Sequence, residues 1–326
     1  MMHPRPTRRP PAPRRAFTVT ELMVVIAIIA VLVGLLVPVV RRVRASARTV
    51  KCLSNQRQIM AAWNNYAVSN AGRLVSPRTD AGISAPAMKA RVDGADFSLR
   101  DLGWTHWWVR AYNGGGHTGL VNVGGRLFET PASITSGVLF PYIGSMAIYV
   151  SPDEPAASDT ASTGGMGVRL RSYSINCALG TTRPNENTGY DHPFVSALNG
   201  EQADISRYAT TTLGSLRKPG RMLATIVEND PANYNGQGWV IHPDTPMWVD
   251  APATWRPDAI TMSYVDGSTG TYALTDPRLV AGWSNKGHNY QQPIDAAAGF
   301  AIDWKHFRDR LNPGVIPDST FGFGGQ

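Results

Sequence analysis

Cysteine is nearly absent. The chain has 326 residues and only two cysteines, Cys52 and Cys177. They form no C-x2-C pair, which excludes a zinc knuckle and a CxxC redox motif. One disulfide is open to them if the domain is exported; the alternative is two free, buried thiols. The seven histidines are His3, His106, His117, His192, His242, His288 and His306. None stands in His-x3-His or His-Glu-x-x-His spacing, so they read as ordinary surface or core side chains. Asn113-Gly114-Gly115-Gly116-His117 lacks the Lys-Ser/Thr ending of a phosphate loop and reads as a flexible loop. There is no Gly-x-Ser-x-Gly elbow, no internal repeat and no EF-hand string. Asp153-Glu154 and Glu228-Asn229-Asp230 are the only candidates for calcium, and surface turns are the simpler reading. No metal, cofactor or catalytic residue is expected.

Acid is missing from the first sixteen residues, which hold Arg5, Arg8, Arg9, Arg14 and Arg15. Residues 17–51 add Arg41, Arg42, Arg44, Arg48 and Lys51 against a single acid, Glu21. The rest, 52–326, has 21 basic and 23 acidic residues. The net charge of +7 therefore belongs to the two flanks of one segment. That placement fits a membrane interface and argues against a nucleic-acid partner.

Between the flanks, charge disappears. Leu22 to Val40 is nineteen uncharged residues. As a helix at ~1.5 Å per residue it spans about 28 Å, close to the hydrocarbon thickness of a bilayer. Pro38 lies late in the run and predicts a kink there. Glu21 stands at the mouth of the run, where a lone carboxylate calls for a partner or must snorkel to the headgroups. The positive-inside rule gives no orientation, because both flanks are basic. A Sec signal cut after Ala45-Ser46-Ala47 would leave Arg41, Arg42 and Arg44 between the apolar run and the cut. Arg14-Arg15 would supply a twin-arginine pair.

Past the run, Val43, Ala47, Val50, Ile59, Trp63 and Tyr66 recur at spacings that predict one buried helical face, with Arg48, Lys51, Gln56 and Arg57 elsewhere. Asn70-Ala71-Gly72 predicts the helix end. Beyond it the texture is short and β-like: 147–150, 171–176, 222–227, 238–241, 260–265 and 270–274. Asp266-Gly267-Ser268-Thr269 reads as a hairpin turn. Residues 78–135 read as an irregular insertion. Trp104, Trp107, Trp108 and Tyr112 either stack on a ligand or anchor this insertion to the core; the second is favoured.

Ala16-Phe17-Thr18-Val19-Thr20-Glu21, the apolar run and Pro38 together resemble the class III signal of type IV prepilins and type II secretion pseudopilins. The resemblance implies a prepilin peptidase that cuts between Ala16 and Phe17 and methylates the new amine. It implies that Glu21 faces the Phe17 amine of a neighbouring subunit, so that Phe17 and Glu21 set assembly. Ala16 departs from the usual glycine before the cut. Later segments resemble a large pilin-like subfamily: Cys52-Leu53-Ser54-Asn55-Gln56-Arg57-Gln58, Leu139-Phe140-Pro141-Tyr142, Ser151-Pro152-Asp153-Glu154, Arg171-Ser172-Tyr173-Ser174-Ile175-Asn176 and Asp266-Gly267. Two positions depart from it. Ser151 replaces the motif cysteine, leaving Cys177 as the one possible partner for Cys52, and Arg256 replaces the motif histidine.

The resemblance implies an α+β fold, with a long N-terminal helix on an antiparallel sheet. The organisation expected is a basic leader over 1–16, a transmembrane and amphipathic helix over 17–70 and a globular domain over 71–326. The function implied is structural, not enzymatic. Expected partners are prepilin peptidase, other pseudopilin subunits and inner-membrane lipid. The chain would sit in the inner membrane with its C-terminal domain exported, and then in a type II secretion pseudopilus or type IV pilus-like fibre. The rival is an exported binding protein or hydrolase that uses the helix only as a tether. An exposed aromatic groove with two carboxylates at glycosidase spacing would mark the rival.

Overall fold

The computed structural model describes residues 18–77, 108, 120–123, 126–129, 131–135, 137–154, 170–180, 194–196, 202–204, 208–228, 238–239, 241–243, 247–248, 250, 252–256, 258–275, 292–293 and 300–316. In chain order these give helix α1 (Val19–Ser69), a hairpin of β1 (Leu120–Val123) and β2 (Arg126–Glu129), and short helices α2 (Pro131–Thr135) and α3 (Phe140–Ile143). Strands β3 (Tyr173–Ile175), β4 (Phe194–Ser196), β5 (Gln202–Asp204), β6 (Leu223–Val227) and β7 (Met247–Trp248) follow. The chain closes with β8 (Ile260–Tyr264), β9 (Thr269–Tyr272), β10 (Gln292–Pro293) and helix α4 (Phe300–Arg308). The layout is α+β. Its centre is one four-stranded antiparallel sheet, in the order β3-β6-β8-β9. The contacts divide the chain between Ala47 and Arg48 into two units.

In the first unit, α1 is long and apolar enough to cross a membrane. Leu22, Ile26, Ile29, Val33 and Leu36 are all exposed. Pro38 lies inside α1 without ending it.

In the second unit, the remainder of α1 packs on the sheet. Its buried face is Cys52, Asn55, Gln56, Ile59, Met60, Trp63, Tyr66 and Ala67. This corrects the face expected from periodicity. Ile59, Trp63 and Tyr66 are buried as expected, but Val43 and Val50 are more than 60% exposed and Gln56 is fully buried. The helix ends where expected. Gly72 N–H donates to Ala67 O at 2.8 Å, and Ala71 is left-handed at φ 55°. This is a six-to-one C-terminal motif with alanine where glycine is preferred. Relief of the Cβ clash at Ala71 predicts that Ala71→Gly stabilises the domain by about 1 kcal/mol. A rise in denaturant midpoint at unchanged m-value checks this; a fall would show that the left-handed turn costs nothing.

Strands β3, β6 and β8 are buried on both faces, and β9 is the half-exposed edge. On one side Tyr173, Ala224 and Val227 join Ile59, Met60 and Trp63 of α1. On the other, Leu223, Ile226, Ile260 and Met262 join Trp304 and Phe307 of α4. The turn between β8 and β9 is the expected one. Gly267 has φ 86°, and Asp266 Oδ1 accepts from Ser268 N–H at 2.9 Å. Residues 147–150 are not a strand: Met146–Ile148 is a single 3-10 turn. The insertion over 78–135 is more regular than expected, since it contains the β1–β2 hairpin.

Helix α4 was not expected from sequence, and it carries a titratable group. The His306 ring stacks on Tyr272 at 3.7 Å, and its Nε2 is buried with no hydrogen-bond partner among the described residues. Burial, aided by the Arg310 charge, pulls His306 down to about 4, against the opposing pull of Asp303 and Asp309. The unfolded imidazole titrates near ~6.5. Between these values the unfolded chain binds the extra proton, so stability falls as pH drops from about 6.5 to about 4. After allowance for partial exposure the loss is about 1–2 kcal/mol. His306→Phe keeps a ring against Tyr272 and should flatten this limb in thermal melts taken across that range. An unchanged slope would assign the acid sensitivity elsewhere.

Candidate functional site

The mouth of α1 is a reciprocal cap. Thr18 is the residue before the first helical turn and Glu21 lies three residues on. Glu21 N–H donates to Thr18 Oγ1 at 3.2 Å, and Thr18 N–H donates to Glu21 Oε2 at 2.9 Å. The Thr18 hydroxyl also donates to Oε2 at 2.9 Å. Helix N-termini leave four N–H groups without helical partners. A Thr-x-x-Glu box satisfies two of them and is worth about 1 kcal/mol. Glu21 therefore has a partner within its own chain, which its reading as a lone carboxylate missed. The signal was the Thr18-x-x-Glu21 spacing. Only Oε2 is used, so Oε1 of this exposed side chain remains available to another donor. Ala16 and Phe17, the other two expected site residues, lie outside the described residues.

A polar seam fixes the second part of α1 to the sheet. Gln56 Nε2 donates to Thr261 Oγ1 at 2.8 Å on β8, and Thr225 Oγ1 on β6 donates to Gln56 Oε1 at 3.0 Å. Asn55 Nδ2 donates to Val150 O at 3.1 Å. Cys52 Sγ lies 2.9 Å from Thr261 Oγ1, 3.2 Å from Tyr173 Oη and 3.5 Å from Ser151 Oγ. Cys52, Asn55 and Gln56 thus lie inside, where the thiol, the Asn55 amide nitrogen and both ends of the Gln56 amide meet hydroxyls or a carbonyl. Serine at 151 leaves Cys52 as a free thiol beside the position where the resemblance has a second cysteine. Cys177 is no substitute: it too is outside any disulfide, fully buried, and its thiol is pushed well up by burial and then by the Asp250 charge.

Against this geometry stands one match to a known family. Residues 12–37 match the family model of the prokaryotic N-terminal methylation motif. The chain carries a prepilin-type N-terminal segment. The match spans Ala16, Phe17, the Thr18–Glu21 box and most of the apolar run. No curated protein and no solved structure matches the chain.

The other candidates fall outside this prepilin-type segment and are structural where they are described. Trp108 is fully buried, donates from Nε1 to Pro77 O at 3.2 Å and stacks on Tyr149 at 5.9 Å. The Arg171 guanidinium sits 5.3 Å from its ring centroid. Trp108 therefore anchors the insertion, as expected; Trp104, Trp107 and Tyr112 lie outside the described residues. Of the calcium candidates, Asp153 pairs with Arg48 at 3.6 Å. Glu154 and Glu228 are buried, and the Ser174 hydroxyl donates to Glu228. Asn229 and Asp230 lie outside the described residues. No cluster of His, Cys, Asp and Glu is arranged to hold a metal among the described residues. Arg256 pairs with Asp258 at 3.4 Å and lines a cleft with Cys52, Ser151 and Asp153. At about 20 Å³ that cleft has room for one water molecule.

Proposed function

We propose that this chain is a pilin-like subunit, cut by prepilin peptidase between Ala16 and Phe17 and N-methylated at Phe17. The mature subunit begins at Phe17, and residues 71–326 form its exported domain. Its partners are the peptidase, neighbouring subunits and membrane lipid, and its product is a type II secretion pseudopilus or a type IV pilus-like fibre. The observation that carries this reading is the methylation-motif match over 12–37, laid on a helix whose apolar residues are exposed. Exposed aliphatic residues of this number need lipid or other apolar helices around them. Assembly exchanges one for the other. In the fibre, the Glu21 carboxylate receives the Phe17 amine of a neighbour, using the oxygen that the Thr18 box leaves open. A buried carboxylate is tolerable when so paired.

Mass spectrometry of the chain purified from membranes checks the cut. The expected N-terminal peptide begins with N-methyl-Phe17. An intact leader, or a start at Arg48, would rule the reading out.

A further inference from the structure

We infer that Arg41, Arg42 and Arg44 form a collar that binds the phosphate groups of anionic phospholipids where α1 leaves the membrane. The inference rests on the reading that residues 22–40 span the bilayer. The three arginines are the first charges after that run, and all are exposed. At ~100° per residue they cover about half the helix circumference, so they face a surface rather than a single point. None has an ion-pair partner among the described residues.

The chain itself offers them little. After Glu21, α1 contains no acid at all, which excludes i,i+4 pairing along the helix. Among the described residues, four exposed or partly exposed carboxylates of the other unit are already engaged: Asp153 by Arg48, Asp258 by Arg256, Asp309 by Lys305 and Arg308, and Asp266 by its own turn. A second copy of this chain offers the collar no acid on α1 beyond Glu21. Headgroup phosphates are the anions that adjacency to the apolar run supplies. Guanidinium binds them bidentately, which a lysine collar could not do. Once the leader and its five arginines are removed, the collar is the nearest cationic group to the span on either side.

Electron spin resonance with spin-labelled lipids tests this. The full chain is reconstituted in phosphatidylcholine vesicles with trace labelled phosphatidylglycerol or labelled phosphatidylcholine. The immobilised fraction should favour phosphatidylglycerol by about fivefold, and the preference should shrink in high salt. It should survive replacement of all five leader arginines by glutamine, and in that leader-neutral chain fall to near one when Arg41→Gln/Arg42→Gln/Arg44→Gln is added. A collar variant that keeps the full preference overturns the inference. So does a wild-type chain that inserts without selectivity, or one whose collar instead drives salt-sensitive association between copies. Resistance to alkaline extraction separates the two layers: a wild-type chain that fails to insert overturns the membrane reading itself, and the collar with it.

Discussion

Glu21→Ala should leave the protein in the membrane and remove it from fibres. Insertion becomes easier, because the substitution takes a carboxylate away from the edge of the apolar run. Assembly loses more than a cap. The Thr18–Glu21 box accounts for about 1 kcal/mol of helix start. In the fibre reading, the mutation also strands the Phe17 amine of a neighbour in an apolar surrounding, at roughly 3–5 kcal/mol. At every subunit contact that is a loss of more than about 100-fold in association. Thr18→Ala is the matched control. It removes the cap and keeps the carboxylate, so assembly should weaken mildly rather than stop. Electron microscopy and cross-linking of co-expressed subunits give the readout. Normal fibres from Glu21→Ala would end the pairing role; equal defects in both variants would assign Glu21 to capping alone.

The second large effect belongs to the seam. Gln56→Ala should destabilise the domain by about 3 kcal/mol. The side chain is fully buried and joins β6 to β8 through Thr225 and Thr261. Truncation removes two hydrogen bonds, leaves the Thr225 hydroxyl only Ser263 and the Thr261 hydroxyl only Cys52 as partner, and opens a cavity. For a domain of this size the melting temperature should fall by about 6–12 °C. Gln58, two residues on, is exposed and bonds only within its own helix. Gln58→Ala should cost less than about 0.5 kcal/mol. Similar losses in the two variants would show that the seam contributes nothing beyond helix propensity.

Much of this was legible in the residues. Length and the absence of charge gave the apolar stretch of α1, Asn70-Ala71-Gly72 gave its end, and Asp266-Gly267 gave the turn that sets the β8–β9 register. The seam was hidden by its own pattern. Ile260-Thr261-Met262-Ser263 alternates apolar and polar, which ordinarily marks a strand with one wet face. Here Thr261 and Ser263 are buried, because α1 brings Cys52, Asn55 and Gln56 down on that face. Two polar surfaces that each read as solvent-facing satisfy one another, and no single segment reveals it. The same blindness moved the expected helix face onto Val43 and Val50. At the helix mouth the reason differs: the cost of Glu21 in lipid is a property of one residue, whereas the cap lies in its three-residue spacing from Thr18.

The seam has a mechanical side. If α1 is drawn outward during assembly, the tension reaches the folded domain through the stretch that begins at Arg48. The polar anchors at Cys52, Asn55 and Gln56 lie within five residues of one another, so they carry that load as a group. Their release would be a single event whose rate follows the unfolding barrier of the domain. A subunit anchored in this way travels with its whole sheet or breaks from it abruptly, and it has no intermediate slack to give.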